Sequence, residues 1–194
     1  MLTEKSAFAQ FNFSIFLHFI ARGMYAIFVP IILLKNNYSL NAVLLFLIFS
    51  ALTVIVSSYA AQKIFYHKRA IIFNIMAIIA EIILLIAFSF KYFSPPVFIL
   101  IFICEGLYFG FYYFSYYSII NHYTSQKMIG NNIGNANIAL NIAATITPFI
   151  GAILLNQNPI YLISIAVLFL FLSLLPMLSL TSVDINGADL PMMD

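Results

Sequence analysis

Residues 11–33 read FNFSIFLHFIARGMYAIFVPIIL, an apolar stretch with a histidine and an arginine inside it. A helix needs about 20 largely apolar residues to cross about 30 Å of hydrocarbon, and this stretch meets that length. Ser14, His18, Arg22 and Tyr25 follow one another at steps of four, four and three. Side chains at that spacing share one face of a helix. The reading is a membrane span with a single polar stripe. A charge at the bilayer centre costs roughly 2.5–3.5 kcal/mol even on lenient insertion scales, so Arg22 predicts partners inside the protein.

The rest of the chain has the same character. Of its 194 residues 64% are apolar and only 7% are charged. A soluble domain is about 45–50% apolar and about 25% charged. Eight basic and six acidic residues cannot wet the surface of a globule of this length. That excludes a soluble enzyme, a disordered chain and a nucleic-acid binder. The net charge of +2 names no partner, and Cys104 as sole cysteine excludes a disulfide framework or a cysteine-based zinc site. No metal, cofactor or catalytic residue is expected.

Polar punctuation at KNNYSL, KIFYHKR, KYFSPP, NHYTSQKMIGNN and NQNP divides the chain into six spans, at about 11–33, 41–62, 70–90, 96–119, 133–155 and 159–180. The fold class expected is all-α: a polytopic membrane protein with six transmembrane helices and a short tail over 181–194. The shortness of NQNP predicts a tight hairpin between the last two spans. His18 and Arg22 interrupt the first run, and no small-residue cleavage site follows, so it reads as a span and not as a cleaved signal. Lys5, Lys63, Lys68, Arg69 and Lys127 fall on one side of the membrane, and only Lys35 and Lys91 on the other. The excess places both termini in the cytoplasm of a cell-membrane protein.

Two acids lie inside later spans: Glu81 in the third and Glu105 in the fourth. Counted from the span ends, both sit at about the depth of Arg22, close to the midplane. One cation between two carboxylates predicts a buried ion pair with one acid left over to exchange a proton. A salt bridge that only fixes helix packing is the plainer alternative. In the fourth span Glu105, Tyr108, Tyr112 and Ser115 share a face. The second span offers Ser50, Thr53 and Ser57, and the fifth Gly134, Asn137, Asn141, Thr145 and Pro148. The third and sixth are the most apolar. Polarity therefore falls twice along the chain over three spans, and an odd repeat must be inverted with respect to its copy. Two inverted three-helix repeats are a recurring construction of secondary transporters. Gly106 and Gly110 allow a close helix approach, and Pro30 and Pro148 predict kinks.

With this layout the chain resembles one six-helix half of a major facilitator superfamily transporter over roughly residues 10–180. SYAAQKIFYHKRAII is similar to the family's cytoplasmic loop pattern, with Ser58 and Phe65 at its glycines, Gln62 at its acid, Lys63 at its first basic residue, and Lys68 and Arg69 as the later basic pair. TITPFIGAIL resembles its Gly-Pro-x-x-Gly-Gly signature, keeping Pro148 and Gly151. EGLYFGFYY resembles its glycine-bearing fourth helix, with Glu105 near the place of a membrane arginine. The resemblance implies that the first and fourth spans line a cavity, the second and fifth face another bundle, and the third and sixth lie outside.

A lone bundle would leave its polar wall against lipid, which is costly. The expectation is a parallel homodimer, with Ser50, Thr53 and Ser57 of one copy meeting Asn137, Thr145 and Pro148 of the other. It would move a small polar solute by alternating access. Arg22, Tyr25, Glu105, Tyr108, Tyr112 and Asn141 are the expected solute contacts. Glu105, Glu81 and His18 are the expected proton or cation site, and Lys63, Lys68 and Arg69 the gating loop. A separately encoded partner half, a shortened gene product and a non-transporting assembly subunit are alternatives. A membrane enzyme is disfavoured, since neither H-E-x-x-H nor G-x-S-x-G occurs. A channel is disfavoured too: the pore-like Asn158-Pro159-Ile160 occurs once, in a tight loop.

Overall fold

A computed structural model describes residues 4–64, 70–89, 94–123 and 129–180. Those residues are all helical apart from short connections. The helices are α1 (Glu4–Tyr25), α2 (Val29–Lys35), α3 (Leu40–Ile64), α4 (Ala70–Phe88), α5 (Pro95–Tyr123), α6 (Ile129–Gln157) and α7 (Pro159–Leu180). A 3₁₀ turn, Ala26–Phe28, joins α1 to α2, and together they form the first span. The six spans are each long and apolar enough to cross a membrane, as the sequence predicts. The chain is a multi-pass helical membrane protein.

Local chemistry sets the helix ends. Proline at position 30 has no N–H, and its ring would clash with the carbonyl of residue 26 in a regular helix. The chain tightens instead: the N–H of Val29 donates to the Ala26 carbonyl, giving the 3₁₀ turn. α2 stops at Asn37, whose φ of 64° is left-handed. The Ser39 hydroxyl accepts from the Ala42 N–H at 3.2 Å and starts α3. Asn158 does the same for α7, accepting from Ile160 N–H at 2.9 Å with Pro159 following it. That cap is the whole turn of the α6–α7 hairpin.

Packing divides the helices into two groups. α5 lies against α3 and α4, while α1 lies against α6 and α7. The groups join where α4 meets α7 and where α1 meets α5 at fewer points. Glycines permit the two closest crossings. A Cβ at Gly106 would come within 2.6 Å of Thr53 Cγ2, and one at Gly110 within 2.8 Å of Ser57 Cβ. On the other side, a Cβ at Gly151 would come within 2.8 Å of the Met24 carbonyl carbon. Two expectations change here. Ser50 and Ser57 are buried and Thr53 is partly covered, all three against α5, so the small face of α3 does not look outward to a second bundle. Its exposed side is apolar: Leu44, Ile48, Leu52, Ile55 and Tyr59. Second, α4 is not a peripheral helix. It is 67% buried across its span, against 22% for α3 and α6, because it carries Glu81 into the interior.

Met24 meets Gly151 with backbone, which cannot rotate away. Gly151→Ala is therefore expected to destabilise the bundle by about 1–3 kcal/mol. Gly134, with open space around its Cα, is the control: Gly134→Ala should gain about 0.5–1 kcal/mol of helix stability. Thermal unfolding in detergent compares the two, and equal shifts would refute the crossing.

Candidate functional site

Arg22, Glu81 and Glu105 come together from α1, α4 and α5. Arg22 Nη1 donates to Glu81 Oε1 at 3.1 Å, and Nη2 donates to Glu105 Oε1 at 2.8 Å. Nη1 also donates to the Tyr25 hydroxyl at 3.0 Å, and that hydroxyl donates to Glu81 Oε1. The plane of the guanidinium is used as well. Its carbon lies 4.1 Å from the ring centroid of Tyr108 and 4.4 Å from that of Phe109. Lysine could not replace this: a planar fork serves two carboxylates and presents flat faces to two rings.

His18, one turn before Arg22, extends the cluster. Its Nε2 is 2.9 Å from the Tyr108 hydroxyl, and its Nδ1 is 3.4 Å from Glu81 Oε2. Its ring stacks on Tyr112 with centroids 4.4 Å apart. Every polar contact between the two helix groups described here starts from α1, at His18, Arg22 or Tyr25. Burial is graded across the cluster. Glu81 and His18 are fully enclosed, while the side chains of Arg22 and Glu105 are 10% and 12% exposed. The Arg22–Glu105 end is thus the less enclosed edge of the cluster.

Charge accounting follows from these contacts. One guanidinium faces two carboxylates in an interior where an uncompensated ion costs several kcal/mol. One further positive charge neutralises the set. His18 Nδ1 and Glu81 Oε2 face each other at 3.4 Å and neither has a hydrogen-bond partner, so a proton held between them would supply it.

Several expected solute contacts are placed differently. Tyr25, Tyr108 and Tyr112 are at most 1% exposed. They form the wall behind the charges and hold Arg22, Glu81 and His18; none presents a surface to solute. Asn141 is exposed on α6, with Asn137 and Thr145 on the same exposed side. Pro148 lies one turn on and is partly covered. Lys63 is exposed near the end of α3, its ammonium 5.5 Å from the Tyr59 ring. Lys68 and Arg69 lie outside the described residues. Sequence reasoning missed Phe109 as a face for Arg22, although it sits one turn after Glu105. Asn74, which the spacing puts on the same side of its span as Glu81, donates its amide to Ser115 Oγ at 3.1 Å and ties α4 to α5.

Removing the guanidinium leaves two buried carboxylates facing each other. Arg22→Met should cost about 3–5 kcal/mol. Adding Glu81→Gln should return part of that loss, with a coupling of about 0.5–3 kcal/mol between the sites. Unfolding of both single variants and the double variant measures this, and strict additivity would contradict the contact.

Comparison of the chain with protein-family models, with curated proteins and with solved structures finds no match.

Proposed function

We propose that the chain is a half-size secondary transporter that pairs with a second copy, parallel in the membrane, and moves a small polar solute past the Glu105–Arg22 edge. The observation that carries this reading is the ionic cluster. A charged triad at mid-span, enclosed at Glu81 and slightly exposed at Glu105, is costly to keep, and intramembrane ionisable groups mark solute and proton routes.

Three further features support it. The main packing pairs correspond when the first and fourth, second and fifth, and third and sixth spans are exchanged: α4 on α5 answers α7 on α1, and α3 on α5 answers α6 on α1, while the contact of α6 with α7 has no comparable counterpart between α3 and α4 among the described residues. The glycine crossings obey the same exchange: Gly106 and Gly110 meet the hydroxyl face of α3, and Gly23 meets Thr147 of α6. The 3₁₀ turn after Tyr25 supplies a break beside the cluster, where the first span can bend. In this reading α3 and α6, the least buried spans, face the second copy, and both termini lie in the cytoplasm. Proton release from the cluster accompanies solute movement, with Arg22 holding an anionic or polar group of the solute at the open edge.

Proteoliposomes containing a pH-sensitive dye test it. Addition of the transported polar solute should move protons, and Glu105→Gln should slow that movement about a hundredfold, the lower end of what a positioned proton-transfer group contributes. Unchanged proton movement in Glu105→Gln would remove Glu105 from the site. For the pairing, Leu52→Cys on α3 and Thr145→Cys on α6, placed together in a Cys104→Ser chain, should crosslink between copies in native membranes. Solely monomeric protein would leave a separately encoded partner half in place of the homodimer.

A further inference from the structure

Buried polar atoms that lack a partner are not scattered through this bundle. They are His18 Nδ1, Glu81 Oε2, Glu105 Oε2, Tyr112 Oη, Asn74 Oδ1, Tyr116 Oη, Asn12 Oδ1 and Ser50 Oγ among the described residues. Ser50 lies on the α3 crossing at Gly106. The others either belong to the ionic cluster or lie beyond it toward the chain termini. On that side α1 runs back to its start, α4 begins and α5 ends.

The core changes composition at the same level. Between the cluster and the α2 end it is built from Leu33, Phe46, Leu84, Leu85, Ile101 and Leu162, with Tyr38 partly buried against it. Toward the termini it is built around Tyr108, Tyr112 and Tyr116, one helical turn apart on α5. Native interiors satisfy buried hydroxyls and amides with protein or ordered water. Tyr112 and Tyr116 stack with ring centroids 6.2 Å apart and planes within 17°. That stacking sets the two rings side by side on one face of α5.

We infer that, in the conformation described, the proton between His18 and Glu81 is exchanged with the terminus side of the membrane, along a water-bridged column of Tyr112, Asn74, Tyr116 and Asn12. The proton leaves His18 Nδ1 for water beside Tyr112, passes along hydroxyls and waters, and another enters behind it, so no co-reactant is needed. The groups facing Glu81 are His18, Arg22 and Tyr25 from α1 and Glu105, Tyr108 and Tyr112 from α5, and α7 packs on α4 without a charged side chain. Leu33, Leu84, Leu85 and Ile101 form the seal on the other side. The inference deepens the proton-coupling part of the proposed function, and rests on that reading only for what the proton is used for.

The test needs no solute. In a His67→Gln, His122→Gln chain held in bilayer discs, His18 gives the only histidine ring signal in nitrogen-15 NMR. Its exchange with water should slow about a hundredfold in Tyr112→Phe and in Tyr116→Phe, each of which removes only a hydroxyl. Unchanged exchange in both variants would overturn the column. Sidedness is read separately in a Cys104→Ser chain. Asn74→Cys should react with a small water-soluble thiol reagent, and Leu85→Cys should not. Equal reactivity, or faster reaction at position 85, would overturn the one-sided route. A protein that moves no solute can pass both tests, and a transporter whose proton enters elsewhere fails them.

Discussion

One guanidinium holds the two halves of this bundle in register. α3, α4 and α5 form one group and α1, α6 and α7 the other. The groups meet where α4 packs on α7, and polar side chains of α1 cross to Glu81 of α4 and Glu105 of α5. Arg22 stands on the second group and takes both carboxylates of the first, at 3.1 and 2.8 Å. Apolar packing in a bilayer cannot supply the same selectivity, because lipid tails are as apolar as leucine and offer an equal alternative. A buried ion set is different: no lipid replaces it. It specifies which helices meet and at what depth, even where its net contribution to stability is small.

The same cluster separates two kinds of interior. Toward α2 the core is hydrocarbon and closes tightly; toward the termini it is aromatic and hydroxyl-bearing. A uniform apolar core would serve stability as well, so the tyrosine column is a departure that packing alone does not require. Each hydroxyl carries a desolvation cost when left dry, about 1–3 kcal/mol. Three tyrosines in stacked sequence, with Asn74 and Ser115 beside them, make a lined path out of what would otherwise be repeated penalties.

Much of this was legible in the sequence, for a physical reason. Charges in a membrane span are rare and costly, so their depth along the helix is informative, and equal depth of Arg22, Glu81 and Glu105 foretold their meeting. Helix limits were legible because proline, asparagine and serine act locally, as at Ser39 and Asn158. Facing was less legible. Spacing groups residues on a stripe but does not tell which neighbour the stripe meets, so Ser50, Thr53 and Ser57 read equally well as an outer face or as the seat of α5. Gly106 and Gly110 held the answer: a helix that lacks side chains on one face needs a neighbour with small ones. α4 misled for the opposite reason. Its composition is the most apolar of the six, which fits lipid as well as a core, and only Glu81 distinguished the two.

The least buried spans pose the remaining physical question, which concerns α6. A hydroxyl in an exposed membrane helix can satisfy itself by donating to a carbonyl one turn earlier, as Thr145 does to Asn141 at 2.7 Å and Thr53 to Phe49 at 2.9 Å. An amide has two donors and an acceptor, and one backward bond leaves it incomplete. Asn137 and Asn141 stand exposed on one side of α6, in a helix whose other exposed residues include Ile142, Ile146 and Ile153. Hydrocarbon cannot meet their needs; water or another protein surface can. α6 therefore carries two separate instructions. Gly151 and Thr147 seat it against α1, and its amides, on an exposed side next to that contact, ask for a polar neighbour.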